Sequence, residues 1–359
     1  MVGSSQEVTR FRLFCLLLVA LLGGLATTPR YPAYFIAPFD GALPLRMEMV
    51  EETLYEEFPV HSRAYYEERN ARLQTSEKPE DVDDFAVGLD ILGRPGEAVE
   101  VLREKLERQQ GEGRELYSTY ANLGTALIHH HIKPAISGDQ GARDGVSEGL
   151  DFIVKAVEVN PQAHYGREIW QMNIVRFLLK AMTTPQLLLR QDCLGNDLDP
   201  KRPVGNLGVG GQFWLTPSFG SRESITKIGQ PPVPFDEPLL GIIGMWQVGG
   251  GANPHFSLAM AETLDRVGEL DLAWTAYQRT RDMKERFWPD EEIQRSLDQY
   301  CEARQVLLEE RLEDRGALIE RYNQRLSRGL EKRERAAEFE RRVEKDPTLD
   351  FYLLYRQEG

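Results

Sequence analysis

Residues 83–106, DDFAVGLDILGRPGEAVEVLREKL, carry the pattern that decides the fold of this chain. Small or apolar residues recur at helical spacing on both sides of a central turn, at Phe85, Ala86, Leu89, Ala98, Leu102 and Leu106. This spacing predicts two amphipathic helices, because residues three and four apart lie on one helix face. The turn contains Gly93, which suits a helix end because glycine enters the left-handed conformation without a steric penalty. The stretch therefore predicts a helical hairpin.

Two later segments repeat the same spacing of small and large residues. In residues 117–160 the repeated positions are Tyr120, Leu123, Gly124, Leu127, Gly149, Ile153 and Ala156. The two helices of this hairpin are expected at 117–128 and 145–160, separated by an insert of about a dozen residues beyond the usual short turn. In residues 254–281 the repeated positions are Ala261, Leu264, Gly268, Ala273 and Tyr277.

These positions resemble the tetratricopeptide repeat. The stretches YYEERNARL, DDFAVGLDILGRPGEAVEVL, YANLGTALIHH and EVNPQAHYGREIWQ are similar to a group of exported bacterial tetratricopeptide-repeat proteins of unassigned activity. With residues 254–281, the resemblance covers roughly a third to a half of the chain. It implies an all-α fold, an α-solenoid of helix hairpins with a groove for a protein or peptide. It implies no catalytic residue, because the repeat pattern consists of packing positions.

Composition divides the chain into six expected segments. They are a signal peptide or N-terminal anchor at 1–26, an extended Pro/aromatic segment at 27–46, TPR-like helical repeats at 47–182, a Gly/Pro-rich insertion at 183–250, a further TPR-like repeat at 251–289, and a long charged amphipathic helix with a tail at 290–359. In the last segment Leu297, Leu308, Ile319 and Leu330 recur every eleven residues, a period that keeps one seam on a nearly straight helix. The seam predicts either self-association through 290–344 or packing of this helix on the repeats.

The N-terminal residues predict export. Residues 10–26, RFRLFCLLLVALLGGLA, place an apolar run behind Arg10 and Arg12. The run is short for a membrane span, and the small residues near its end are typical of a signal-peptide cleavage site. The alternative is an uncleaved anchor that would tether the protein to the inner membrane. Either way, we expect the protein in the periplasm or at the outer face of a bacterial inner membrane.

Charge and cysteine content exclude several classes of function. The formal net charge is −14, and such an acidic excess repels phosphate backbones, so no nucleic-acid partner is expected. Cys193 and Cys301 are far apart in sequence and do not form a disulfide framework, so we predict two separate thiols. The motifs of phosphate loops, dinucleotide-binding turns and hydrolase elbows do not occur. No cofactor is therefore expected.

The run His129-His130-His131 is the metal-site candidate. Consecutive helical residues point about 100° apart, so at most two of the three side chains can face one metal ion. His129 and His131 are the candidate ligands, with help from the neighbouring insert. The competing interpretation is a polar helix end that enters a loop.

A compact polar and aromatic group is the partner-binding candidate. It consists of Tyr165, Arg167, Glu168 and Trp170 in a helix expected at residues 163–182. Arg167 has the geometry to hold a carboxylate in a two-pronged hydrogen bond. The alternative interpretation is a structural salt bridge that locks the second repeat to the third.

Together these features predict a non-enzymatic, exported repeat scaffold that mediates protein–protein interaction at the cell envelope. The competing hypothesis is an envelope enzyme whose site lies in the 183–250 insertion, metal-assisted through the His129–His131 cluster. A third hypothesis is a structural protein that oligomerises through its C-terminal helix.

Overall fold

The computed structural model describes residues 46–108, 116–161, 167–205, 212–213, 233–234, 236–286, 288–312, 314–346 and 348–358. The predicted signal peptide or anchor, the extended segment up to residue 45, Tyr165 and most of residues 206–235 lie outside the described residues. Within those ranges the chain is all-α, as predicted, apart from one two-residue ladder.

Fourteen α-helices make up the described part of the chain. The first seven are α1 (Met47–Leu54), α2 (Arg63–Leu73), α3 (Pro79–Ile91), α4 (Pro95–Arg108), α5 (Tyr117–Ile136), α6 (Gln140–Val159) and α7 (Arg167–Thr183). The other seven are α8 (Asp236–Met245), α9 (Pro254–Val267), α10 (Leu270–Asp282), α11 (Glu291–Glu309), α12 (Arg315–Glu334), α13 (Ala336–Lys345) and α14 (Phe351–Glu358). Each helix from α2 to α10 packs against the next one in the chain.

Short elements connect α7 to α8. A 3-10 turn spans Pro185–Leu189, and β1 (Gln212–Phe213) pairs antiparallel with β2 (Val233–Pro234). No helix in the described ranges combines the length and apolar character needed to cross a membrane.

The hairpin of α3 and α4 has the predicted turn. Gly93 adopts a φ of +81°, and the Arg94 amide donates to the Leu89 carbonyl at 2.9 Å. The predicted small and large positions are buried together with residues of α5 in one cluster: Ala86, Leu89, Ala98, Leu102, Leu123, Ala126 and Leu127. The hairpin prediction is confirmed.

The prediction of an insert between the helices of the second hairpin is wrong. Helix α5 continues to Ile136 and α6 begins at Gln140, so the residues assigned to the insert lengthen both helices. The extension is stable because Ala135, Ala142 and Val146 are buried in the main core. Asp139 caps α6 by accepting a hydrogen bond from the Ala142 amide at 2.8 Å.

Helices α5 and α6 cross at two glycines. A Cβ placed on Gly124 would lie 2.7 Å from the Gly149 carbonyl oxygen, and one on Gly149 would lie 2.9 Å from the Gly124 carbonyl oxygen. The two backbones are therefore in direct contact, which explains why the pattern has small residues at both positions.

We expect Gly149→Ala to lower the free energy of unfolding by about 1–3 kcal/mol, because the new methyl group meets backbone that cannot rotate away. Urea denaturation measures the effect. Gly141→Ala on the same helix is the matched control, since its Cβ would meet nothing closer than Asp139 Oδ1 at 3.4 Å. A Gly149→Ala variant as stable as this control would contradict the close crossing.

The predicted insertion at 183–250 contains one helix of the stack. Helix α8 packs against α7 and buries Leu239, Ile242 and Ile243. High glycine density predicts a loop, but Gly241 and Gly244 instead allow close helix packing. A Cβ at Gly241 would overlap the Trp170 side chain, and one at Gly244 would lie 3.2 Å from Arg167 Cδ. The insertion is therefore shorter than predicted.

The hairpin of α9 and α10 forms as predicted. Asn253 caps α9 by accepting from the His255 amide at 2.9 Å, and Pro254 is the first helical residue. Gly268 ends α9 with a φ of +92°. The predicted packing residues Ala261, Leu264, Ala273 and Tyr277 are all fully buried.

The prediction of one long C-terminal helix is wrong. The segment forms α11, α12 and α13, and Asp314 starts α12 by accepting from the Gly316 amide at 2.5 Å. Leu297 and Leu308 of the eleven-residue seam are buried on α11, whereas Ile319 and Leu330 on α12 are 36% and 46% exposed. The period thus spans two helices with different neighbours, and the packing of α11 on α10 explains the break.

The first described helices, α1 and α2, contact helices from the C-terminal half of the chain. Helix α1 packs against α8 and α10, and α2 contacts α13. Glu340 of α13 accepts hydrogen bonds from the Ser62 amide at 2.8 Å and contacts His61 Nδ1 at 2.9 Å. A Cβ at Gly329 of α12 would overlap the Tyr55 carbonyl oxygen, so backbone meets backbone here as well.

Candidate functional site

The predicted partner-binding group lies between two helices. Arg167, Glu168 and Trp170 are only 8%, 2% and 3% exposed, because α8 covers this face of α7. Arg167 Nη2 donates to Glu168 Oε1 at 2.7 Å, an ion pair between neighbours of one helix. A partner can reach these side chains only if α8 moves.

Glu168 also connects the second hairpin to α7. It forms a hydrogen bond with the Tyr117 hydroxyl of α5, and burial together with the Glu168 charge raises the pKa of Tyr117. Gln171 Nε2 adds a hydrogen bond to Thr125 Oγ1 of α5 at 3.0 Å. These contacts resemble the structural alternative from the sequence, a polar lock between the second repeat and the third.

The three consecutive histidines contact three different partners. His129 Nδ1 lies 2.8 Å from Asp90 Oδ2 of α3. His130 packs over Gly96 at the start of α4, and His131 packs over Gly145 of α6. In the described part of the chain, no group of three or more His, Cys, Asp or Glu side chains is arranged to hold a metal ion. The metal candidates His129 and His131 therefore diverge from each other.

The pKa values of His129 and His131 are shifted in opposite directions. Burial opposes the charge on His129, but the hydrogen bond and charge of Asp90 outweigh it and raise the pKa of His129. Burial and the adjacent His130 lower the pKa of His131. The folded state therefore holds the His129 proton more tightly than the unfolded chain does.

We expect this proton to make stability depend on pH. The stabilisation from His129 should be fully present below the ordinary value of 6.5 and be lost as the pH rises through the raised pKa. The difference in free energy of unfolding between wild type and His129→Gln should therefore be largest below pH 6.5 and shrink as the pH rises above that value. His130→Gln is the control variant. A difference that stays constant with pH would contradict the Asp90 contact.

A buried charged cluster that the sequence did not reveal joins α9, α10 and α11. Glu262 and Asp265, three residues apart on α9, are both fully buried. Tyr277 and Tyr300 donate to Glu262 Oε1 at 2.5 and 2.6 Å. Three arginines complete the cluster: Arg202 and Arg304 reach Asp265 Oδ2 at 3.0 and 3.1 Å, and Arg266 pairs with Glu262.

The pKa shifts of Glu262, Tyr277 and Tyr300 favour a charged carboxylate and two neutral hydroxyl groups. Burial favours a neutral Glu262, but the charges of Arg266 and Arg202 prevail and lower its pKa. Burial and the Glu262 charge raise the pKa of Tyr277 and of Tyr300. General acid–base catalysis needs a pKa near the working pH. The cluster therefore suits structural anchoring better than proton transfer.

The charged cluster anchors residues 197–205, which belong to the first part of the predicted insertion. The Gly205 amide donates to the Asp265 carbonyl at 3.0 Å, and Arg304 Nη1 donates to the Arg202 carbonyl at 2.5 Å. Arg266 Nη2 donates to the Asp197 carbonyl at 2.9 Å. Residues 197–205 are thereby fixed on the α9–α11 surface.

A second buried carboxylate shapes the same segment. Asp192 accepts from the amides of Leu194 and Asn196, each at 2.9 Å, and burial raises its pKa to about 6. Cys193 next to it and Cys301 on α11 are free, buried thiols, as predicted. Burial raises the pKa of both thiols, which makes them poor nucleophiles.

The sequence contained a weak signal for the charged cluster. Helix α9 reads PHFSLAMAETLDRV, and Glu262 and Asp265 stand out in an otherwise small and apolar run. Arg266 lies one helical turn from Glu262, but Arg202 and Arg304 lie far away in sequence, so periodicity could not pair them with Asp265.

Comparison of the chain with protein-family models, curated proteins and solved structures gives no match.

Proposed function

We propose that this chain is an exported helical-repeat scaffold of the tetratricopeptide type that binds a protein or peptide at the cell envelope. The observation that carries the proposal is the packing of each helix from α2 to α10 on its successor in the chain. Repeat scaffolds are built this way, because each hairpin buries its apolar face only against its neighbours. The crossing of α5 and α6 at Gly124 and Gly149 adds the close hairpin contact of such repeats.

The binding surface in this proposal is a stripe on α5. Ser118, Asn122, Thr125 and His129 follow helical spacing on one side of the helix, and all four are exposed or half-buried. Contacts extend the stripe to both neighbours, from His129 to Asp90 of α3 and from Thr125 to Gln171 of α7. We call these four residues the α5 stripe. It offers small polar groups suited to the backbone of a bound peptide.

The competing proposal is an envelope enzyme with a site in residues 183–250 and a metal on the histidine cluster. The pairing of His129 with Asp90 favours the scaffold, because in the described residues this histidine does not join a group of three metal ligands. Helix α8 and residues 192–205 are also engaged in internal packing.

Affinity capture of the full chain from the membranes of its own cells tests the scaffold. We expect a discrete protein partner, identified by mass, that is lost with the paired change Ser118→Arg and Asn122→Arg. The matched control is Gln140→Arg with Ser147→Arg, which adds the same charge to the exposed side of α6. Retention of the partner by both variants would contradict the α5 stripe. Capture of stoichiometric zinc or a small molecule in place of any protein would favour the enzyme.

Self-association through residues 290–344 is a separate proposal about assembly. Val306, Ile319 and Leu330 are large apolar side chains exposed on α11 and α12. If they form a self-contact, Leu330→Glu should reduce the sedimentation coefficient of the full chain at micromolar concentration. An unchanged sedimentation coefficient would rule out self-association through this surface.

A further inference from the structure

Residues 47–58 contact three helices, α8, α10 and α12. We call them the N-terminal strap. Val50, Leu54, Tyr55 and Phe58 of the strap are buried, and α1 packs on α8 and α10. The strap ends in Tyr55-Glu56-Glu57-Phe58, two carboxylates between two aromatic rings.

Arginines contact each residue of this ending. Arg279 Nη2 of α10 and Trp246 Nε1 donate to Glu56 Oε1 at 2.7 and 3.1 Å, and Arg333 of α12 binds its other oxygen. Glu57 accepts from Arg325 and Arg328 of α12 at 2.8 and 2.6 Å. Arg325 also lies 4.1 Å from the Tyr55 ring centroid, and Arg333 lies 4.8 Å from that of Phe58.

The backbone at the end of the strap lies close against α12. Glu56 has a φ of +58°, a left-handed conformation that non-glycine residues rarely adopt. Gly329 gives the Tyr55 carbonyl room to approach α12. Side chains of the surrounding helices reach the strap as well, since Gln247 Nε2 donates to Thr53 Oγ1 at 2.8 Å and Tyr55 meets Thr275 at 3.1 Å.

A core segment needs none of this charge, because apolar packing stabilises at least as well as buried ion pairs do. Arginines paired with carboxylates and stacked on rings are instead the chemistry by which proteins recognise acidic and aromatic peptides. We propose that the groove between α10 and α12 is a binding site for an acidic-aromatic peptide, and that the strap occupies it as an autoinhibitory segment. A partner with the same chemistry, two adjacent carboxylates flanked by aromatic residues, would displace the strap. This inference goes beyond the proposed function, because it adds a peptide site separate from the α5 stripe and names the chemistry of its peptide.

Hydrogen exchange of the unmodified full chain gives the first test, with no variant that might fail to fold. If the strap detaches while the rest stays folded, amides of residues 51–58 should exchange about tenfold or more faster than those of α9 and α10. Exchange of the strap at the same rate as α9 and α10 would overturn the proposal.

A synthetic peptide of residues 47–60 gives the second test. A fluorescent peptide should bind the full-length Glu56→Ala, Glu57→Ala variant at least about tenfold more tightly than it binds wild type, whose own strap competes. The same peptide carrying both alanines should not bind. Absence of peptide binding by a variant that still unfolds cooperatively would overturn the proposal.

These tests do not depend on capturing a natural partner. Suppose that partner capture requires the α5 stripe, and that the strap amides exchange at the same rate as those of α9 and α10. This combination would support the scaffold proposal and contradict the autoinhibition. If the peptide binds in the groove but no protein is captured, the proposal of a scaffold that binds through the α5 stripe is contradicted. The proposal of a peptide site in the groove is then supported.

Discussion

Gly329→Ala should lower the free energy of unfolding by about 3 kcal/mol or more. A Cβ at this position would overlap the Tyr55 carbonyl oxygen and lie 3.0 Å from the Glu56 carbonyl carbon. Neither backbone atom can rotate away, because Tyr55 is buried and Glu56 is bound to Arg279 and Trp246. The added methyl group therefore has to push α12 away from the strap.

Urea denaturation of the full chain measures this change. Ser327→Ala on the same helix is the control, since Ser327 is exposed and its replacement should stay within about 0.5 kcal/mol of wild type. Equal stability of Gly329→Ala and Ser327→Ala would show that α12 does not cross the strap at this contact.

Arg304→Met should cost about 3–5 kcal/mol, because it leaves a buried carboxylate with too few partners. Arg304 and Asp265 are both fully buried, and Arg304 Nε donates to Asp265 Oδ2 at 3.1 Å. The substitution also removes the hydrogen bond to the Arg202 carbonyl that fixes the first part of residues 183–250.

A double-mutant cycle separates the ion pair from general packing. Arg304→Met combined with Asp265→Asn should be less destabilised than the sum of the single changes by about 1–3 kcal/mol. Arg315→Met, at a side chain that is 39% exposed, should change stability by no more than about 1 kcal/mol. Strictly additive effects would contradict direct coupling between Arg304 and Asp265.

Local chemistry in the sequence was enough to predict the hairpins. Gly93, Gly268 and the pair Asn253-Pro254 act through their own backbone preferences, and each ends or starts a helix as expected. Gly124 and Gly149 were identifiable as packing positions because their spacing matches a repeat. The all-α class follows from these features together.

Features set by distant residues could not be predicted in this way. The sequence around Gly241 and Gly244 gives no indication that Trp170 and Arg167 pack over these glycines. The eleven-residue seam has the right period for one helix, yet the break at Asp314 splits it between α11 and α12. The buried position of Arg167 depends on α8, which lies far away in sequence.

Polar residues were the hardest to place. Glu56, Glu262 and Asp265 belong to residue types that usually lie at the surface. Their burial is stable only because arginine partners offset the loss of hydration. Apart from Arg266, which lies four residues from Glu262, those partners come from positions 202, 279, 304 and 333, beyond the range of any helical period. A single sequence therefore does not predict the charged cluster or the arginine contacts that hold the strap.

Photo-crosslinking in the cells that produce this chain tests whether a protein binds the α5 stripe, as we propose. A crosslinking amino acid replaces Asn122 on the stripe or, as the control, Ser147 on the exposed side of α6. We predict a discrete protein adduct from position 122 and none from position 147. No adduct from either position, or the same adducts from both, would contradict the claim.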